Sequence, residues 1–112
     1  MTVVAKTLYE SAQIPTAETT LYTAPANTRT IIDKATITNT TAGAVTATVK
    51  LVPSGGSVGA SNTVISAQSI AAGASYLCPE LAGHILNTGD FVSALAGAAT
   101  SLTIRISGRE VS

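Results

Sequence analysis

Apolar and hydroxyl-bearing residues exchange places at almost every step along much of this chain. Lys34-Ala35-Thr36-Ile37-Thr38-Asn39 and Val45-Thr46-Ala47-Thr48-Val49-Lys50-Leu51 are two instances. Successive side chains of a strand point to opposite faces, so a period of two gathers the apolar set on one side and the hydroxyls on the other. A helix would need apolar residues every three or four positions, and no segment sustains that. The pattern predicts an all-β module with one dry face per sheet and an outer face that carries hydroxyls more than charges.

Turn residues divide the chain into short runs. Glu18–Ala24 reads as a strand closed by Pro25-Ala26-Asn27, and Arg29–Asn39 is the next. In it Ile31, Ala35 and Ile37 share a face that Asp33 interrupts. Thr40-Thr41-Ala42-Gly43 is a turn, and Ala44–Val52 is a strand with Val45, Ala47, Val49 and Leu51 on one side. The short connection predicts an antiparallel hairpin between these last two strands. Pro53–Ser61 is a glycine-rich loop. Asn62–Ile70, Ser75–Cys78 and Phe91–Leu95 are further strands, and Leu81–Leu86 suits a single helical turn. Ser101–Val111 closes the chain with Leu102, Ile104 and Ile106 inward and Thr103, Arg105, Ser107 and Arg109 outward. Seven or eight short strands with turn signals about every ten residues are the mark of a single-domain antiparallel β-sandwich, jelly-roll-like in its spacing.

Residues 1–17 give no sustained period. They read as an N-terminal arm or edge strand preceding a sandwich domain at 18–112. Val3, Val4, Leu8 and Tyr9 are candidate partner contacts, and the domain is expected to fold without them. Arg105 and Arg109 lie an even number of residues apart, hence on one face, where they either solvate an edge strand or pair with an acidic neighbour.

Residues that do chemistry are scarce. His84 is the only histidine and Cys78 the only cysteine, so neither a soft-ligand metal cluster nor an intramolecular disulfide can form. The carboxylates Glu10, Glu18, Asp33, Glu80, Asp90 and Glu110 are scattered singly, without a calcium-loop spacing. The Pro53–Ser61 loop lacks the Gly-Lys-Ser/Thr ending of a phosphate loop. No catalytic, metal or cofactor-binding residue is expected, nor a small-molecule substrate. Charged residues make up 11% of the chain and cancel to zero net charge. That argues against nucleic acid and anionic membranes, which call for clustered Lys and Arg. With no basic-then-apolar leader and no membrane-length apolar run, the chain is expected to be made in the cytoplasm. A neutral, charge-poor surface opposes self-association weakly, which suits a subunit docked in an assembly.

Several phrases, read in order, resemble a known kind of protein. They are Leu21-Tyr22-Thr23-Ala24-Pro25-Ala26, Ile31-Ile32-Asp33-Lys34-Ala35-Thr36-Ile37-Thr38-Asn39-Thr40 and Leu51-Val52-Pro53-Ser54-Gly55-Gly56. Glu80-Leu81-Ala82-Gly83-His84-Ile85-Leu86, Asp90-Phe91-Val92-Ser93-Ala94 and Leu102-Thr103-Ile104-Arg105-Ile106-Ser107-Gly108 follow. Over Glu18–Ser112 the chain resembles small virion structural proteins of tailed bacteriophages, of the capsid decoration, cement or staple kind. Related modules occur in phage tails and fibres. The resemblance implies a jelly-roll or sandwich on the outer capsid surface that bridges neighbouring major capsid proteins, as a homo-oligomer (dimer or trimer). The alternative it leaves is a tail, neck or fibre module contacting host glycan.

Overall fold

The period-two segments become strands. A computed structural model describes residues 1–112. The strands are β1 (Val3–Gln13), β2 (Thr19–Thr23), β3 (Arg29–Asn39), β4 (Val45–Val52), β5 (Thr63–Ile70), β6 (Ser75–Tyr76), β7 (Ile85–Leu86), β8 (Phe91–Ala96) and β9 (Leu102–Val111). A 3-10 turn at Ala60–Asn62 is the one helical piece. It lies in the glycine-rich loop, not at Leu81–Leu86, where tight turns lead into β7 instead.

All pairings are antiparallel. One sheet runs β1-β9-β3-β6, with β7 also on β3, and the other runs β2-β8-β4-β5. The chain passes from one sheet to the other between β1 and β2, β2 and β3, β3 and β4, β5 and β6, β7 and β8, and β8 and β9. Only β4–β5 is a hairpin within a sheet. Two four-place sheets filled by this alternating path are a jelly roll, with β6 and β7 sharing the eighth place. The sandwich expected from the spacing of turns is therefore present.

The β3–β4 hairpin is not. The two strands lie in different sheets, and β3 pairs with β9 while β4 pairs with β8 and β5. Asn39 explains why the short connection arches over the core. Its side chain is fully buried. The amide Nδ2 donates to the carbonyls of Gly43 (2.8 Å) and Ile70 (2.9 Å), and Oδ1 accepts from the Thr41 amide (2.9 Å) and hydroxyl (2.7 Å). One side chain thus satisfies the backbone of a turn that has left its sheet, polar groups that would otherwise be costly to bury.

Asp33 produces the second difference. Ile32, not Ile31, is buried alongside Ala35 and Ile37. The β3–β9 register slips between Ile32 and Lys34, so Asp33 is the extra residue of a β-bulge that reverses the phase of the strand. In β9 no such slip occurs on the inner face, and Leu102, Ile104 and Ile106 all enter the core as their alternation predicts. With Ile14, Ile32, Ile37, Val49, Leu81, Leu86 and Val92 they form one apolar cluster between the sheets.

Residues 1–17 belong to this core. β1 pairs with β9 as the edge strand of the first sheet. Leu8 is buried and Ile14 has no exposed surface. The chain crosses between sheets at Ile14-Pro15: the Ile14 amide donates to Leu102 O (2.8 Å) and Pro15 O accepts from the Ala96 amide (2.9 Å). Bulges between Thr7 and Tyr9, and between Tyr9 and Ala12, break the alternation and leave the segment without a readable period. The apolar and backbone groups this segment contributes weigh against the expectation that the domain folds without it.

Candidate functional site

The groups with reactive potential are dispersed. Cys78 is buried, and burial, followed by the nearby charge of Glu80, pushes its thiol up to about 12. A thiol that stays protonated at neutral pH is a small core residue rather than a nucleophile. Its Sγ lies 3.6 Å from the Tyr76 carbonyl. Glu80 is occupied by the Tyr76 hydroxyl, which donates to its carboxylate at 2.6 Å. His84 is exposed, and its imidazole has no hydrogen-bond partner in the chain. It lines an open groove of about 370 Å³ with Leu51, Asn62, Val64, Ile85 and Asp90. The Asp90 carboxylate there is used locally, accepting from the amides of Ser54 and Asn87 at 2.9 Å each. No three His, Cys, Asp or Glu side chains converge as a metal cluster would require.

Two polar networks join strands. Glu18 binds the Lys50 ammonium and the Ser93 hydroxyl (2.7 Å) on the second sheet. Burial works against its ionisation, but these two donors outweigh it and hold its carboxyl below the ordinary value. At the open side between the sheets, Tyr22 of β2 donates to Glu110 of β9 at 2.5 Å and meets the Thr30 hydroxyl of β3 at 2.8 Å. Lys6 of β1 approaches the same carboxylate at 3.3 Å. The Tyr22 hydrogen bond outweighs burial and, with Lys6, keeps Glu110 below its usual range. Tyr22, by burial and then by the same contact, is raised to about 12.

These shifts set the pH limits of stability. Glu18 and Glu110 have depressed folded-state values, so their contribution is present above the unfolded value of 4.5 and is lost as pH falls below it. Tyr22 is raised, so its contribution is present below 10.0 and is lost as pH rises from there toward 12. The buried Cys78 thiol, raised from 9.0 to about 12, adds a contribution that is lost from pH 9 upward, so a melting-temperature profile is expected to be flat from about 4.5 to about 9 and to fall on both sides. In Tyr22→Phe the alkaline fall is expected to shrink and the acid fall to weaken. A profile unchanged by Tyr22→Phe would contradict the network.

The outer faces of the two sheets differ in charge. Directly paired residues point to the same side of a sheet, so the register assigns each side chain. Across β1-β9-β3 the outward rows read Val3-Val111-Arg29, then Ala5-Arg109-Ile31 with Ile85 of β7, then Thr7-Ser107-Lys34. Arg105-Thr36 comes next, and Thr103-Thr38 with Ser75 of β6 is last. Four consecutive rows each carry one cation, and the carboxylates beside them are Asp33 and, in the β1 bulge opposite Arg105, the exposed Glu10. Asp33 accepts from Arg109 Nη2 at 2.9 Å and Nε at 3.0 Å. Arg105 reaches only the hydroxyls of Thr7 and Ser11, both at 3.5 Å. The outer face of the second sheet carries Thr20, Thr46, Ser69, Phe91 and Leu95, with Lys50 neutralised by Glu18.

Of the residues expected to touch a partner, Arg105 and Arg109 do share one outer face. Val3 and Val4 remain about half exposed. Leu8 is a core residue, which removes it from an outer contact, and Tyr9 packs half-buried against the core. Arg29 and Lys34 complete the cationic face and were not evident from spacing. Five residues apart, they would occupy opposite faces of a regular strand, and only the Asp33 bulge aligns them.

Neither a family model nor a curated protein sequence matches the chain. Among solved structures it is similar to a chain in the structure of infectious bursal disease virus, Gx strain. The TM-score is 0.54 at 16% sequence identity, over 97% of this chain and 31% of that one. At that identity the likeness is one of fold, and it covers nearly all of the present chain with less than a third of the viral one.

Proposed function

We propose that this protein is a virion structural protein, non-enzymatic, which binds the outer surface of a tailed-phage capsid and bridges neighbouring major capsid proteins. The observation that carries the reading is the jelly-roll topology, a fold used by viral capsid and lectin domains, shared over 97% of the chain with a chain from a virus structure. The dispersal of His84, Cys78 and the carboxylates supports a role in contact over one in chemistry. Many symmetry-related copies, each contributing a weak contact, stiffen a shell through their number. The tail or fibre alternative, with glycan as ligand, is favoured less because the groove beside His84 contains no aromatic ring on which a sugar could stack.

Quantitative mass spectrometry of gradient-purified virions tests this. A copy number commensurate with the shell lattice is expected. A number matching the single tail or neck would transfer the protein there, and absence from the particle would remove the virion role altogether.

A further inference from the structure

We infer that the outer face of the β1-β9-β3-β6 sheet is the docking face of this protein, and that its partner there is an acidic protein surface. The inference rests on the proposed assembly role and names the face and the partner's chemistry.

The chain has six basic and six acidic residues, yet four of the six cations (Arg29, Lys34, Arg105 and Arg109) lie on this one face with only Asp33 and Glu10 among the carboxylates beside them. All four are exposed. Of the remaining charges, Lys6 and Glu110 pair at the open side of the sandwich, and Lys50 and Glu18 pair on the opposite sheet. Glu80 holds Tyr76, and Asp90 caps a turn. Glu10, in the bulge of β1 opposite Arg105, makes no ion pair. A protein of zero net charge has thus sorted its charge, leaving four cations against two carboxylates, an excess of two positive groups, on one face.

The spacing of that surface is regular. Alternate residues of a strand are about 6.5–7 Å apart, so successive rows set cations at roughly that interval along the sheet. Hydroxyls of Thr7, Thr36, Thr38, Thr103 and Ser107 lie between them and can bond either way to a partner's backbone. Arg109 is held by Asp33 in a two-pronged contact, which fixes its guanidinium while leaving Nη1 free. Complementary carboxylates would steer encounter and set register.

Nucleic acid fits less well. Single strands are bound by aromatic rings beneath the bases, and this face has none. Tyr9 and Tyr76 turn inward, Tyr22 bridges the sheets, and Phe91 lies on the other sheet. Three cations without an ion pair (Arg29, Lys34 and Arg105) are also few for a duplex footprint.

The test is titration of the full-length ¹⁵N-labelled protein with poly-L-glutamate at low ionic strength, with oligodeoxythymidylate as the competing polyanion. Amide shifts are expected on Thr36, Thr103, Arg105 and Ser107 and not on Thr46, Ser69 or Leu95, and they should vanish as salt is raised. Lys34→Gln with Arg105→Gln should weaken poly-L-glutamate binding about five- to tenfold. Thr20→Glu with Ser69→Glu changes net charge by the same amount on the opposite face and should change binding by less than about twofold. No shifts, shifts spread over both sheets, equal effects of the two double variants, or tighter binding of the oligonucleotide would each overturn the inference. The same variants in virions separate the two readings. Wild-type chain absent from particles sinks the assembly role alone, whereas present wild type with equal incorporation of both double variants sinks the docking face alone.

Discussion

Deletion of residues 1–17 is expected to leave a chain that does not fold. β1 covers the open edge of β9, and β9 carries Leu102, Ile104 and Ile106, three residues with no exposed surface at the centre of the sandwich. The segment also inserts Leu8 and Ile14 into the core and ties the two sheets together through backbone hydrogen bonds on either side of the Ile14-Pro15 crossing. Burying two aliphatic side chains contributes about 3–6 kcal/mol, and the lost strand pairing adds to this. Total stabilities of single domains are only about 5–15 kcal/mol. The truncated protein should show no cooperative thermal transition by circular dichroism and should bind a hydrophobic dye. Ile14→Ala, which keeps the strand, should fold with a loss of about 3 kcal/mol. A cooperative melt of the truncated chain within a few degrees of the full one would show that β1 is peripheral.

The same strand illustrates what the sequence disclosed and what it withheld. Strands that keep strict alternation on the inner face, β9 above all, were legible because one side chain in two is apolar and the pleat does the rest. β1 was ambiguous because two bulges shift its phase, so Leu8 and Tyr9 face the core where a regular strand would separate them. β3 and β4 looked like a hairpin because a short link between alternating segments ordinarily makes one. The information that they part company resides in Asn39, a residue whose four hydrogen bonds run to Gly43, Ile70 and Thr41 and become visible only in three dimensions. Pairing partners such as β1 with β9 are some hundred residues apart, and local pattern carries no record of them. The cationic face was half legible. Arg105 and Arg109 are related by even spacing, but Arg29 and Lys34 join them through the slip at Asp33. An interruption was visible there, although not the direction in which it would turn the strand.

Gly108→Val is expected to abolish folding, and Gly108→Ala to cost about 3 kcal/mol. Gly108 faces inward on β9, directly opposite Ile32 of β3 and Lys6 of β1. The bulge at Asp33 in β3 falls between the rows of Gly108 and Ser107, and the bulge near Leu8 in β1 one row further on, between Ser107 and Ile106. Bulges bend and twist a strand, and here they bring both neighbours over Gly108. A Cβ added there would lie 2.2 Å from the Ile31 carbonyl oxygen and 2.9 Å from Leu8 Cδ1. The side-chain contact can be relieved by rotation or truncation, but the carbonyl belongs to the pairing of β3 with β9 and can retreat only if those strands separate. The double variant Leu8→Ala with Gly108→Ala should therefore be no more stable than Gly108→Ala alone, because the methyl still meets the backbone. Chemical denaturation of the two variants checks this, and recovery of about 2 kcal/mol or more in the double variant would place the conflict at Leu8 instead. Since the Asp33 bulge also brings Lys34 into line with Arg29, Arg105 and Arg109, the close approach that only glycine permits is part of what aligns the cationic rows. Strain at Gly108 should then disturb the amides of Lys34 and Arg109 before those of the second sheet.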